Sequence, residues 1–129
     1  MPPLNAIGIT ASNMAESIRF YRALGLDMPD TPDEGHVEAV MPDGARLMLD
    51  SEEVIYSFLP EWKRTDGNQF NLAFQCDSPA EVDQVYADLV SAGYHGEKAP
   101  WDAFWGQRYA LLGDPDGVRI NLYAALPAQ

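Results

Sequence analysis

The chain repeats itself, and the repeat narrows the folds open to it more than any other feature. Ala15-Glu16 recurs as Ala80-Glu81 and Tyr21 recurs as Tyr86, in both cases 65 positions later. Further on, Pro42-Asp43-Gly44-Ala45-Arg46-Leu47 recurs as Pro115-Asp116-Gly117-Val118-Arg119-Ile120, now 73 positions later. Self-similarity on this scale marks a duplicated supersecondary unit. The eight additional residues of the second copy fall between its helix and its P-D-G turn, where "PWDAFWGQR" lies at 100–108.

Each copy carries its own punctuation. In "SNMAESIRFYRALGL", Asn13 reads as the N-cap, Glu16 as the third helical residue and Gly25 as the stop. In "DSPAEVDQVYADLVSAGY", Ser78 caps, Pro79 takes the first turn, Glu81 completes a capping box and Gly93 terminates. Val82, Val85, Tyr86, Leu89 and Val90 recur at helical spacing and define one apolar face. Upstream of the helices, "AIGITA" at 6–11 and "NLAFQC" at 71–76 read as strands, and each P-D-G turn introduces another. The modules span about 1–60 and 68–129, with a junction over 59–68. Each offers one strand before its helix and about three after it.

Strand alternation assigns faces. Ile7, Ile9, Phe70, Leu72, Phe74, Leu47, Leu49, Ile120 and Leu122 are expected beneath the helices. Ala6, Gly8, Thr10, Met48, Asn71, Ala73, Gln75, Asn121 and Tyr123 take the opposite face, whose small, polar and aromatic character suits the lining of a cleft.

Composition restricts partners and compartment. Eight Lys and Arg stand against 20 Asp and Glu, a formal net charge of −12, so a phosphate-coated nucleic acid would be repelled. The start, "MPPLNAIGIT", has neither a basic flank nor an apolar run suited to a signal peptide or membrane span. A single cysteine, Cys76, forms no internal disulfide, which makes a reducing cytoplasm the expected location.

The stretches "SNMAESIRFYRALGL", "NLAFQCDSPAEVDQVYADLVSAG" and "GDPDGVRINLY" resemble the vicinal oxygen chelate superfamily of glyoxalases, bleomycin-resistance proteins and dioxygenases. The resemblance implies an α+β fold of two tandem βαβββ modules whose curled sheets form a groove, and a domain-swapped homodimer. Catalytic members hold a divalent metal at four strand positions, which fall here at or near Ala6, Met48, Asn71 and Asn121. None is His, Asp or Glu, so no cofactor and no metal are expected. Within the superfamily, "HVEAVMPDGARLMLDSEEVIYSF" and "PWDAFWGQRYALLGDPDG" are similar to antibiotic-sequestering resistance proteins of the mitomycin-binding type. That similarity implies a metal-free groove holding a planar aromatic or quinone-like drug, released unchanged.

The candidate ligand-binding residues follow. Trp101, Phe104 and Trp105 crowd three large rings into five residues beside Pro100 and Gly106. They read either as loop anchors or as a stacking platform. His36 and Glu38 share one face of a strand, and Arg108 and Tyr109 follow the platform. Asn71 and Asn121 are expected to hydrogen-bond ligand carbonyls. Tyr56 and Trp62 are assigned to the groove and Phe58 to an interface. Arg46 and Arg119 recur at equivalent positions and are expected to pair with the turn carboxylates. No catalytic residue is assigned, because no nucleophile or oxyanion donor stands out. The alternative is a metal-free isomerase or cyclase using His36 or Glu38; a metal-dependent lyase or dioxygenase ranks third.

Overall fold

A computed structural model describes residues 1, 3–65 and 70–128. The chain divides into two compact units, Met1–Thr65 and Asp66–Gln129. Residues 66–68 of the expected junction lie outside the described residues.

The first unit runs β1 (Ala6–Ala11), α1 (Met14–Leu24), β2 (His36–Val40), β3 (Arg46–Ser51) and α2 (Glu52–Phe58). Its sheet has the order β1-β3-β2, with β1 parallel and β2 antiparallel to β3. The second unit runs β4 (Asn71–Gln75), α3 (Pro79–Ser91), β5 (His95–Ala103), β6 (Gln107–Gly113) and β7 (Arg119–Ala125). Its sheet has the order β4-β7-β6-β5, in which β4 is parallel to β7 and the remaining pairs are antiparallel. The architecture is α+β, and the second unit is a complete βαβββ module.

Local chemistry accounts for the helices. Asn13 Oδ1 accepts from the Glu16 amide at 3.1 Å, and Gly25 closes α1 in the left-handed region at φ 112°. Ser78 Oγ accepts from the Glu81 amide at 3.1 Å, while Glu81 Oε1 accepts from the Asp77 amide at 3.0 Å. The expected capping box is therefore made one residue farther back than the usual form. Both P-D-G turns close alike: Met41 N donates to Ala45 O at 2.7 Å, and Asp114 N donates to Val118 O at 2.9 Å.

The first unit departs from its sister in two places. Between α1 and β2, where β5 stands in the second unit, residues 26–34 form no strand. Pro29 and Pro32 cannot donate to a ladder, Met28 is fully buried, and Arg22 holds the Met28 carbonyl at 2.7 Å. After β3 comes α2, a helix the sequence reading does not contain. Ser51 caps it, its Oγ accepting from the Val54 amide at 3.1 Å, with Glu52 and Glu53 in the first turn complementing the helix dipole.

The core follows the assigned parity. Ile9, Leu47, Leu49, Leu72, Ile120 and Leu122 are buried, as are Ile18, Phe20 and Tyr21 of α1 and Val82 and Leu89 of α3. Full burial of each large aliphatic contributes about 1.5–3 kcal/mol. Ile7 and Phe70 depart from the expectation and are exposed. Ile7 lies on β1, an edge strand of its unit's sheet, and Phe70 precedes the first residue of β4.

Candidate functional site

Two polar or aromatic groups stand on the sheet faces away from the core, one in each unit. In the second unit, the β5–β6 hairpin turns through Phe104-Trp105-Gly106, with Gly106 at φ 89° donating its N–H to Ala103 O at 3.0 Å. Register then places Trp101 opposite Tyr109 and Tyr109 opposite Tyr123, so the three rings share one face. Trp101 and Tyr109 meet edge-on at 5.6 Å between centroids, while Tyr109 and Tyr123 stack at 6.3 Å with 28° between planes. Trp105 folds over this row, 5.2 Å from Tyr109 and 6.1 Å from Trp101, and its indole N–H donates to Gln107 Oε1 at 2.9 Å. Phe104 packs edge-on against Trp105 at 5.1 Å yet is 97% exposed, and Trp105 is 48% exposed. At that exposure Phe104 anchors nothing, and half of Trp105 faces solvent. Lys98 places its ammonium 4.0 Å from the Trp101 ring centroid.

Asn121 stands on the same face. Its Nδ2 donates to the Tyr109 hydroxyl at 2.8 Å, and its Oδ1 is buried with no hydrogen-bond partner among the described residues. Asn71, at the start of β4, is exposed. Arg108 is placed elsewhere. Neighbours in a strand face opposite ways, and Arg108 binds Asp83 of α3 at 2.9 Å and Asp102 at 3.1 Å, on the helix side. The structure thus brings Trp101, Phe104, Trp105, Tyr109 and Asn121 together and leaves Arg108 apart from them.

In the first unit, the P-D-G hairpin sets His36 opposite Asp50 and Glu38 opposite Met48. His36 Nδ1 lies 2.6 Å from Asp50 Oδ1 and Nε2 lies 2.9 Å from Glu38 Oε2. Glu38 also meets Arg46 at 3.2 Å, and Arg46 donates to Asn5 Oδ1 at 3.0 Å. Two carboxylates on one imidazole favour its charged form. The His36 pKa is accordingly raised, first by Asp50 and then by Glu38, and that of Glu38 is lowered, first by His36 and then by Arg46. Asp50, absent from the candidate residues named above, is the missed member of this network.

The repeated arginines correct another expectation. Arg46 pairs with Glu38 and Arg119 with Glu97 at 3.1 Å, both on strands rather than turns. The turn carboxylates are already occupied by backbone: Asp43 accepts from the Ala45 amide, and Asp114 from those of Asp116 and Val118. Tyr56 of α2 and Trp62 form a separate edge-on pair at 5.6 Å, with the Arg64 guanidinium 5.3 Å from the Trp62 ring. An open hollow of about 520 Å³ lies beside α2, lined by Pro32, Glu34, Gly35, Ser51, Val54 and Ser57. None of the candidate residues lines it. Cys76 is buried, and desolvation, aided by Glu81 and Asp77, pushes its thiol up to about 11, so it is protonated near neutrality.

The residues at the metal positions do not fit a catalytic divalent ion. Ala6 has no donor atom, Met48 offers only a thioether, and the Asn121 amide is turned to the Tyr109 hydroxyl. Among the described residues, no three His, Cys, Asp or Glu side chains form a group able to hold a metal. None of the described helices is long and apolar enough to cross a membrane.

Similarity to known proteins agrees with the architecture. A family protein from Burkholderia phytofirmans superposes with a TM-score of 0.82 at 20% identity, covering 97% of this chain and 100% of that one. A hypothetical protein from S. aureus gives 0.80 at 19%, covering 97% and 94%. A protein from Agrobacterium tumefaciens gives 0.75 at 26%, covering 98% and 100%. A comparison with curated protein sequences gives no match. The profile of the Glyoxalase/Bleomycin resistance protein/Dioxygenase superfamily matches residues 4–122, nearly the whole chain, and the protein belongs to that superfamily.

Proposed function

We propose that the chain binds a planar aromatic or quinone-like antibiotic on the aromatic face of its second sheet and releases it unchanged, after the manner of the mitomycin-binding subgroup it resembles. The observation that carries this reading is the row Trp101–Tyr109–Tyr123 with Trp105 folded over it and Phe104 fully in solvent. Rigid rings held in place by their neighbours lose little freedom when a flat guest stacks on them.

Magnitudes favour the guest over the lysine now lying on Trp101. An exposed cation–π contact is worth about 0.5–1 kcal/mol. Stacking of a flat heteroaromatic on one ring is worth about 1–3 kcal/mol, so displacing Lys98 is favourable. Burying ~300 Å² of apolar ligand surface adds about 7 kcal/mol. After association costs, micromolar or tighter binding is within reach without a metal.

Non-catalytic binding also accords with the chemistry of the side chains. The Cys76 thiol is protonated near neutrality, and both His36 nitrogens are engaged by carboxylates. The test is a tryptophan-fluorescence titration against mitomycin-, anthraquinone-, quinoxaline- and bleomycin-like compounds. Trp105→Ala should weaken binding at least about tenfold, equivalent to about 1.4 kcal/mol. Mass spectrometry should return the ligand intact. An unchanged dissociation constant removes Trp105 from the site, and a new ligand mass after turnover replaces sequestration with catalysis.

A further inference from the structure

The second sheet contains one polar atom whose chemistry is incomplete. Asn121 is 6% exposed, and its Nδ2 is committed to the Tyr109 hydroxyl at 2.8 Å. Tyr109 is itself fixed by rings on three sides, Trp101, Trp105 and Tyr123. The orientation of the amide is therefore set by a member of the aromatic row, and its oxygen is left over. Among the described residues that oxygen has no hydrogen-bond partner. Buried acceptors of this kind are uncommon, because they have given up water without a replacement. The cross-strand neighbours of Asn121 are Ala73 and Leu111, neither of which has a side-chain donor. Ala73 is exposed and presents only a methyl group.

We infer that Asn121 Oδ1 is the polar recognition point of the aromatic site, and that the ligand carries a hydrogen-bond donor, an N–H or O–H, on the edge of its ring system. This rests on the aromatic-binding reading above and refines it. It also adds an acceptor role to the one expected from sequence, where Asn121 donates to ligand carbonyls. The Tyr109 hydroxyl takes one Nδ2 hydrogen, and a ligand carbonyl brought to the unpartnered Oδ1 would meet a carbonyl, where like dipoles repel. Aromatic amines, phenols, hydroquinones and lactam N–H edges fit; a ring edge bearing only carbonyl oxygens does not.

Two uncharged probes of one ring system test the inference: 2-aminoanthraquinone, which donates, and 2-methylanthraquinone, which does not. Each is titrated into the intact protein by tryptophan fluorescence. The amine should bind at least tenfold more tightly. Asn121→Leu should bring the two within about twofold of each other by weakening the amine alone. Equal affinities for the intact protein overturn the inference, as does a preference that survives in N121L. In either case the aromatic reading still stands if Trp105→Ala weakens the methyl compound. Binding of neither probe overturns both. Should N121L not fold, Asn121→Ala takes its place, and if that also fails the preference of the intact protein decides.

Discussion

Removing one oxygen from Tyr109 tests whether the amide of Asn121 is oriented as described. Tyr109→Phe keeps the ring, and with it the contacts at 5.6 Å to Trp101, 5.2 Å to Trp105 and 6.3 Å to Tyr123. What it deletes is the hydroxyl that accepts from Asn121 Nδ2 at 2.8 Å. The Asn121 oxygen already lacks a partner, so the substitution leaves a buried amide with no side-chain hydrogen bond at all. A buried polar group stripped of its partner costs about 1–3 kcal/mol. Half-burial of Tyr109 admits some water, which places the expectation at about 1–2 kcal/mol. For a chain of this length that is a fall of roughly 3–8 °C in Tm. Urea unfolding followed by circular dichroism should show a lower midpoint with an unchanged slope. Asn121→Leu removes the amide and leaves only the Tyr109 hydroxyl, half-buried and within reach of water, without its partner, so it should lie within about 1 kcal/mol of the parent. The double variant Y109F/N121L should then match N121L alone, a coupling of about 1–2 kcal/mol. If the two changes instead add to within ~0.5 kcal/mol, no bond joins these residues and the reasoning fails.

Three further outcomes concern other side chains. By NMR, His36 should titrate above its ordinary value of about 6.5, and Asp50→Asn should bring it back down; titration at or below that value refutes the bridging geometry. The sign is fixed: with the folded pKa raised, the histidine's contribution to stability is complete below about 6.5 and fades as pH rises through the folded value. Glu38 acts in the opposite sense, its contribution present above about 4.5 and lost as pH falls through its lowered value, so the network is strongest between about 4.5 and 6.5. With its thiol at about 11, Cys76 in the native chain should alkylate with iodoacetamide at pH 8 on the order of a hundredfold more slowly than in urea; comparable rates would show it open to solvent. Phe58 is 62% exposed on α2 beside exposed Leu59, so sedimentation should report a homodimer that Phe58→Asp converts to monomer; a monomeric parent refutes that assignment.

Elements governed by short-range chemistry were legible in the sequence. Asn13 and Ser78 as caps, Gly25 as a stop and the paired P-D-G turns all depend on groups within a few residues, and the structure has each of them. The central strands were legible for a related reason, since Leu47, Leu49, Ile120 and Leu122 alternate with residues that stay off the core. Two features escaped. Residues 26–34 inherit a strand from the repeat but contain Pro29 and Pro32, and local backbone chemistry prevailed over the duplicated plan. The helix α2 has its signal in Ser51-Glu52-Glu53, a cap followed by two acids, but its seven residues are too short for an apolar period to emerge.

The site was legible wherever register could be counted out from a turn. Every β2–β3 pair is symmetric about Asp43, so His36 against Asp50 follows once the P-D-G turn is placed, although only the structure shows that the side chains bond. The same counting about Trp105 gives Trp101 against Tyr109, and alternation alone separates Tyr109 from Arg108. It breaks down farther along β5, where two register shifts lie between Gly96 and Trp101 and bring Lys98 opposite Leu111. The lysine over the Trp101 ring could not have been foreseen from spacing for that reason. Nor could the free oxygen of Asn121, which depends on which end of one amide the Tyr109 hydroxyl takes up. Sequence pattern assigns a residue to a face, whereas the polarity it presents to a ligand is decided by the bonds it has already made.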